Sequence, residues 1–209
     1  MSEFDHCAVL ERIGRGKVFF RLVYYLPVIS SWVVVSLMFL FLFNSEGLFN
    51  YFFGDILGWV DPNTAWLNRA STALPVIALL GVWKGVGWAM LIHLAALQSM
   101  PKELIEAAQT DGANSSQVSR FVIVPLLAPT TFFILVLLTI GAFQSFIQFY
   151  IITGGGPLNQ TEVFLSYMYN QAFNFLDFGY ASAIAWMLAA MILVISLIQF
   201  RFVKQEYEY

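Results

Sequence analysis

The chain has 209 residues, 59% of them hydrophobic and only 11% charged, with a mean hydropathy of +0.74. This composition excludes an ordinary soluble domain and fits an all-α polytopic membrane protein. The net charge of −3, spread over short loops, leaves no basic surface for nucleic acid, and a single cysteine, Cys7, excludes an internal disulfide framework.

Residues 1–22 are polar and carry Arg12, Arg15, Lys17 and Arg21 directly before an apolar stretch, which marks a cytoplasmic flank. The pattern is not expected to be a secretory signal, because the apolar run is too long and no small-residue cleavage site follows. Gly14–Lys17 reads GRGK, yet Glu11 and Val18 stand where a phosphate loop needs Gly and Ser or Thr. Any ATP hydrolysis must therefore come from another chain, and neither a cofactor nor a metal is expected.

Val23–Phe43 is a run of 21 uncharged residues. As a helix it is about 31 Å long, enough for a hydrocarbon core of roughly 30 Å. It is read as the first span, 23–43, with Pro27 kinking it near its cytoplasmic end. Asn44–Ser71 contains Glu46, Asp55, Asp61 and the turn formers Asp61-Pro62-Asn63, together with several aromatics. It reads as an outside loop, partly lying on the membrane, whose apolar residues shield the ends of neighbouring helices.

The second span, 72–98, holds Lys84 and, nine residues later, His93. A lysine inside a span costs on the order of 3 kcal/mol on insertion scales. Two readings of Trp83-Lys84-Gly85-Val86-Gly87-Trp88 stay open. Either Trp83, Lys84 and Trp88 line a path, with aromatic faces for sugar rings and a cation for hydroxyls or phosphate, or the tryptophans anchor at the interface while Lys84 snorkels outward. His93 has no metal-spaced partner and reads as a hydrogen-bonding packing residue.

Residues 100–121 form a polar loop between two very hydrophobic stretches. Pro101 suits a first helical turn, and Leu104, Ala107 and Ala108 then share a face, with Glu106 beside them as one fixed charge. Gly112 is placed to end this helix in a left-handed conformation. Asn114 with Gln117 resembles a capping box that starts a second short helix, and Pro125 marks the start of the next apolar run. A helix, a glycine hinge and a helix make a docking loop, with Asp111 and Gly112 at its turn.

From Phe121 to Thr161 there are 41 uncharged residues, too many for one crossing. Gly154-Gly155-Gly156-Pro157 turns the chain and leaves a span over 125–149. Gln144 and Gln148 then share a face with Ser145 adjoining, for contact with another helix or with a ligand. Glu162–Phe173 reads as a short interfacial or partly re-entrant helix, with Phe164, Tyr167 and Met168 opposite Ser166 and Asn170. The last span is 178–200, where Ala181, Ala183, Ala185, Ala189 and Ala190 suit close packing; residues 204–209 are a cytoplasmic tail. Arg12, Arg15, Lys17, Arg21, Lys102, Arg120, Arg201 and Lys204 fall on one side and only Arg69 on the other, with Lys84 in the membrane. This bias puts both termini and the 100–121 loop in the cytoplasm.

Glu106-Ala107-Ala108, Gly112 and Val122-Ile123-Val124-Pro125 resemble the EAA signature of the membrane permease subunits of binding-protein-dependent ABC importers, with Val122 and Val124 where Ile and Leu are usual. Further matches follow the chain. Arg15 to Ser30 resembles the family's GR-x-FFR and FLP-x-x-x-S pattern, Asn44 to Asn50 its FN-x-x-x-G-x-x-N element, and Tyr150 to Pro157 its Y-x-x-T-x-GGP element. Tyr167 to Ala183 resembles its Y-x-Y-x-x-AF and GYASA runs.

The resemblance runs from about residue 12 to residue 203 and points to the maltose, lactose and glycerol-phosphate type of carbohydrate permease. It implies an ABC type I importer permease fold, with a transmembrane domain over 23–203 in the bacterial inner membrane. It also implies that Glu106, Ala107, Ala108, Asp111, Gly112 and Pro125 couple to a cytoplasmic ATPase. The expected partners are a second permease subunit, ATP-binding subunits, an extracytoplasmic sugar-binding protein and membrane lipid. In that family Arg15 lies after two earlier spans, so a shortened chain is expected, and a non-functional truncated permease is one alternative. The other is an ion-gradient-driven secondary transporter with Lys84 and His93 as its titrating pair. A membrane enzyme is disfavoured, since 121–161 and 178–200 contain no acid, histidine or cysteine.

Overall fold

The computed structural model describes residues 17–204, with side chains placed over 23–201. The expectations for Cys7, Arg12 and Arg15, and for most of the two terminal segments, lie outside the described residues. Among those described, every regular element is helical: α1 Lys17–Ile29, α2 Trp32–Leu42, α3 Leu48–Asn50, α4 Ala70–Ser99, α5 Lys102–Thr110, α6 Ser115–Val118, α7 Val124–Phe143, α8 Ile147–Ile152, α9 Phe164–Tyr169 and α10 Phe178–Lys204. Three stretches are long and apolar enough to cross a membrane, Ala70–Ser99, Ser115–Ile152 and Phe178–Arg201, and the pair Val23–Ile29 with Trp32–Leu42 makes a fourth if counted as one broken span.

Two of the expected spans are not single helices. In 23–43 the interruption falls at Ser30–Ser31 rather than at Pro27, and α1 and α2 are bent there too sharply to form one straight helix. Pro27 remains helical and buried. The break comes later because Ser31 starts a new helix: its hydroxyl accepts from the Val33 N–H at 3.3 Å and its carbonyl from the Val35 N–H at 3.1 Å. In 125–149 the helix stops at Phe143 and restarts at Ile147, with Phe146 outside the helical region at φ −136°, ψ −57°. The Phe146 ring packs 5.2 Å from Tyr150 and 5.3 Å from Tyr169, contacts an unbroken helix would re-aim. Gln144 and Gln148 consequently do not share one continuous helical face. By contrast α4 encloses the expected 72–98 and α10 the expected 178–200.

The described residues divide into two compact units, one made of 17–28 and 85–139, the other of 29–84 and 140–204. In the first, α1 lies against α4 at a glycine: a Cβ on Gly87 would collide with the Tyr24 carbonyl and come within 2.9 Å of Val28. Tyr24 and Leu97 pack on Met90 beside this approach. In the second, the core is built by Val35 and Phe39 of α2, Phe43 just after it, Val76, Ile77 and Leu80 of α4, and Ile152 of α8. An aromatic cluster extends it into the loop, with Phe43 stacked on Phe49 at 4.6 Å and Trp66 edge-on to Phe49 at 5.4 Å.

That loop is held by one buried amide. Asn50 donates to the carbonyls of Ser45 (2.9 Å) and Thr64 (2.8 Å) and accepts from the Trp66 indole N–H at 2.6 Å. The Thr153–Thr161 turn is closed in the same way. The Thr161 hydroxyl lies 2.8 Å from that of Thr153 and 2.6 Å from the Gly156 carbonyl, while Gly154 and Gly155 take positive φ and Leu158 stands exposed at the tip. Among the described side chains of α10, Ala181, Ile184 and Leu188 are the buried apolar ones, and Ala183, Ala185, Ala189 and Ala190 are exposed.

Replacing Gly87 by Ala is expected to destabilise the protein by about 1–3 kcal/mol through overpacking. Gly81→Ala, where a Cβ meets nothing within 4 Å, should gain up to about 1 kcal/mol from helix propensity. Unfolding midpoints of the two variants in the same detergent check this; equal midpoints would contradict the close approach at Gly87.

Candidate functional site

The 100–121 loop folds locally as its residues require. Helix α5 ends in a Schellman arrangement: Gly112 takes φ +89°, its N–H donates to the Gln109 carbonyl at 3.1 Å, and the Ala113 N–H reaches back to Ala108 at 3.0 Å. Two residues later the reciprocal cap is present, Asn114 Oδ1 accepting from the Gln117 N–H at 2.9 Å and Gln117 Oε1 from the Asn114 N–H at 2.8 Å. Leu104, Glu106, Ala107, Asp111 and Gly112 are exposed and Ala108 is half-buried. The segment therefore presents small residues with the acid Glu106 beside them, held at a hydrogen-bonded turn.

Pro125 sits at the second position of α7. The turn before it, Ser119–Ile123, is π-helical, with the Val124 N–H donating five residues back to Ser119. Widening the ladder here carries the chain past a proline that has no N–H to offer Phe121. Arg120 lies over the Phe121 ring at 5.8 Å, a cation beside an exposed aromatic where the loop meets the apolar run.

The residues expected along a membrane path fall in different settings. Trp83 packs on the core of the second unit, 6.0 Å from Phe39. Lys84 is only 6% exposed; its ammonium donates to the Ser30 carbonyl at 2.6 Å and lies 4.8 Å from the centre of the Trp32 ring. Snorkelling outward does not describe it. Gln148 is buried at the start of α8, whereas Gln144 is exposed and Ser145 half-buried, its hydroxyl bonded to the Gly141 carbonyl at 3.2 Å. Trp88 is half-buried in the first unit.

His93 lies between Ala89 O (2.9 Å to Nδ1) and Thr131 Oγ1 (3.0 Å to Nε2), joining α4 to α7 within the first unit. A carbonyl only accepts, so Nδ1 carries a proton. This is a packing histidine, as its isolation from other ligands suggested. Ser36 was not singled out by the sequence: its hydroxyl is fully enclosed in α2 without a partner. Its serine identity within WVVVSLMF was the only available signal.

Several membrane-length helices, an exposed and rigid polar loop, and buried polar positions within the spans fit a polytopic membrane component. Residues 10–205 match the family of binding-protein-dependent transport system inner membrane components, and the chain belongs to that family. Among its relatives is the probable ABC transporter permease protein YesP of Bacillus subtilis, 37% identical over 199 residues, covering 92% of this chain and 62% of the relative. Another is the sn-glycerol-3-phosphate transport system permease protein UgpA of Rhizobium meliloti, 36% identical over 201 residues, covering 95% and 67%. The chain thus spans roughly two thirds of the length of these relatives. The fold is that of an ABC importer permease: a bacterial alginate ABC transporter, solved with an alginate pentasaccharide-bound periplasmic protein, superposes with a TM-score of 0.83 at 22% identity, over 99% of this chain and 72% of that one.

Asn114→Ala removes the cap of α6 and is expected to cost about 1 kcal/mol locally. Gly112→Ala forces a side chain into the left-handed region for about 1–2 kcal/mol. Hydrogen exchange should quicken in peptides covering 102–118 and stay unchanged over 178–200; a uniform change along the chain would show that the loop is not an independently capped unit.

Proposed function

We propose that this chain is the membrane-spanning permease subunit of an ATP-driven carbohydrate or sugar-phosphate importer. It forms half of a translocation path and couples to a cytoplasmic ATPase through residues 100–121. The observation that carries this reading is the exposed helix, glycine turn and helix, standing in a chain of the binding-protein-dependent transport family. Glu106 supplies the charge, Ala107 and Ala108 the close approach, Asp111 and Gly112 the fixed turn, and Pro125 the point where the loop joins its membrane helix. A rigid lever of this kind passes on the movement of a partner only if its own hydrogen bonds hold, which the Schellman turn and the capping box ensure.

In the same reading both ends of the chain face the cytoplasm, in the inner membrane of a bacterium. A second permease completes the path, ATP-binding subunits occupy the cytoplasmic side, and an extracytoplasmic binding protein delivers the solute. Support for the class of solute comes from the relatives' own names, which include a glycerol-phosphate permease, and from the fold shared with an alginate importer. Trp83, Lys84, Trp88, Gln144, Ser145 and Gln148 are the residues this proposal assigns to the path, whether by shaping its wall or by meeting solute. The outward-facing side of α10 is the surface available to lipid or to the second permease.

Glu106→Ala and Gly112→Ala are expected to lower solute uptake by about tenfold, the equivalent of ~1.4 kcal/mol of lost coupling, while the variant chains still enter the membrane in wild-type amounts. Uptake assays on cells carrying each variant, with membrane levels read by immunoblot, make the check. Undiminished uptake in both variants would remove the coupling role.

A further inference from the structure

A lysine buried in an apolar span needs a reason to be there, because a methionine of similar length would cost far less. The contacts of Lys84 supply one. Its Nζ donates to the carbonyl of Ser30 and stands over the ring of Trp32. These residues flank Ser31, where the first apolar segment breaks and restarts. Lys84, Ser30 and Trp32 all belong to the second unit, so the contact is internal to it. A carbonyl at a helix end carries partial negative charge, which a cation neutralises without needing a helical N–H. The indole face adds a second attraction to the same ammonium.

We infer that Lys84 is a positioning residue: its ammonium bridges the Ser30 carbonyl and the Trp32 ring and so fixes the break between α1 and α2. Its charge acts on the chain itself and not on the solute. Neutral residues at this position leave the break free to wander, and arginine, which keeps both the charge and the donors, preserves it. For transport, an inference resting on the importer reading above, a fixed break restrains the permease in its resting state. Loosening it raises ATP hydrolysis in the absence of solute.

The test uses the complex purified from native membranes with whatever subunits accompany the chain, comparing wild type, Lys84→Met and Lys84→Arg. Hydrogen exchange over 29–36 should be about tenfold faster in Lys84→Met, near wild type in Lys84→Arg, and unchanged over 178–200 in both. Solute-free ATP hydrolysis should rise about fivefold in Lys84→Met alone; a lysine needed only for folding would lower assembly and hydrolysis together. Unchanged exchange in Lys84→Met, or equal loosening in Lys84→Arg, overturns the positioning role. If Lys84→Met does not assemble, Trp32→Leu is measured in its place, and unchanged exchange over 29–36 overturns the role equally. If no ATPase accompanies the wild-type chain, the importer reading fails, and the exchange measurement still decides the role of Lys84.

Discussion

A carbonyl released inside apolar surroundings must find a donor nearby, because no water is there to supply one. This constraint accounts for much of what the polar residues of the chain do. At Ser30–Ser31 the freed groups meet the Lys84 ammonium and the Ser31 hydroxyl. At the interruption after Phe143 the Ser145 N–H turns to Ala142 and the Ser145 hydroxyl to Gly141. Between Thr153 and Thr161 the Thr161 hydroxyl reaches the Gly156 carbonyl and lies beside the Thr153 hydroxyl, which meets the Phe149 carbonyl. Each of these interruptions has a polar side chain at hand, so the chain can bend there while the groups named find partners.

The same economy explains why apparently cargo-directed residues turn inward. The space beside Gly87 is taken by the backbone of α1 at Tyr24. Trp83 extends the aromatic wall begun by Phe39. In a membrane, where apolar burial between helices is weakly driven, close backbone approach and ring contacts carry more of the packing than in a soluble core.

What was legible in the sequence was what is local. The left-handed Gly112 and the reciprocal Asn114–Gln117 cap follow from residues within a few positions of one another, and both are present as read. The long helix α10 followed from an unbroken apolar run and α4 from one holding a single lysine and a histidine, and the family followed from motifs spread along the chain. Three features were hidden. The target of Lys84 lies 54 residues away. The interruption at Gln144–Phe146 contains neither proline nor glycine and depends on rings from α8 and α9. The break at Ser30–Ser31 was assigned to Pro27 because a proline is the stronger local signal, whereas the serine that caps the next helix decides the position. The Asn44-to-Asn50 motif was recognised as a pattern, but its physical content, one amide serving three partners, needed coordinates.

That amide bears on how the protein is made. The partners of Asn50 lie five residues before it and 14 and 16 after it, so the loop closes through contacts of short sequence separation. Contacts of this range form early and quickly, ahead of pairings that wait for distant chain. During synthesis the loop can seal itself before anything beyond Arg69 has emerged. Helix α2 then meets the following helix α4 with the loop after it already closed, rather than loose and arranged afterwards.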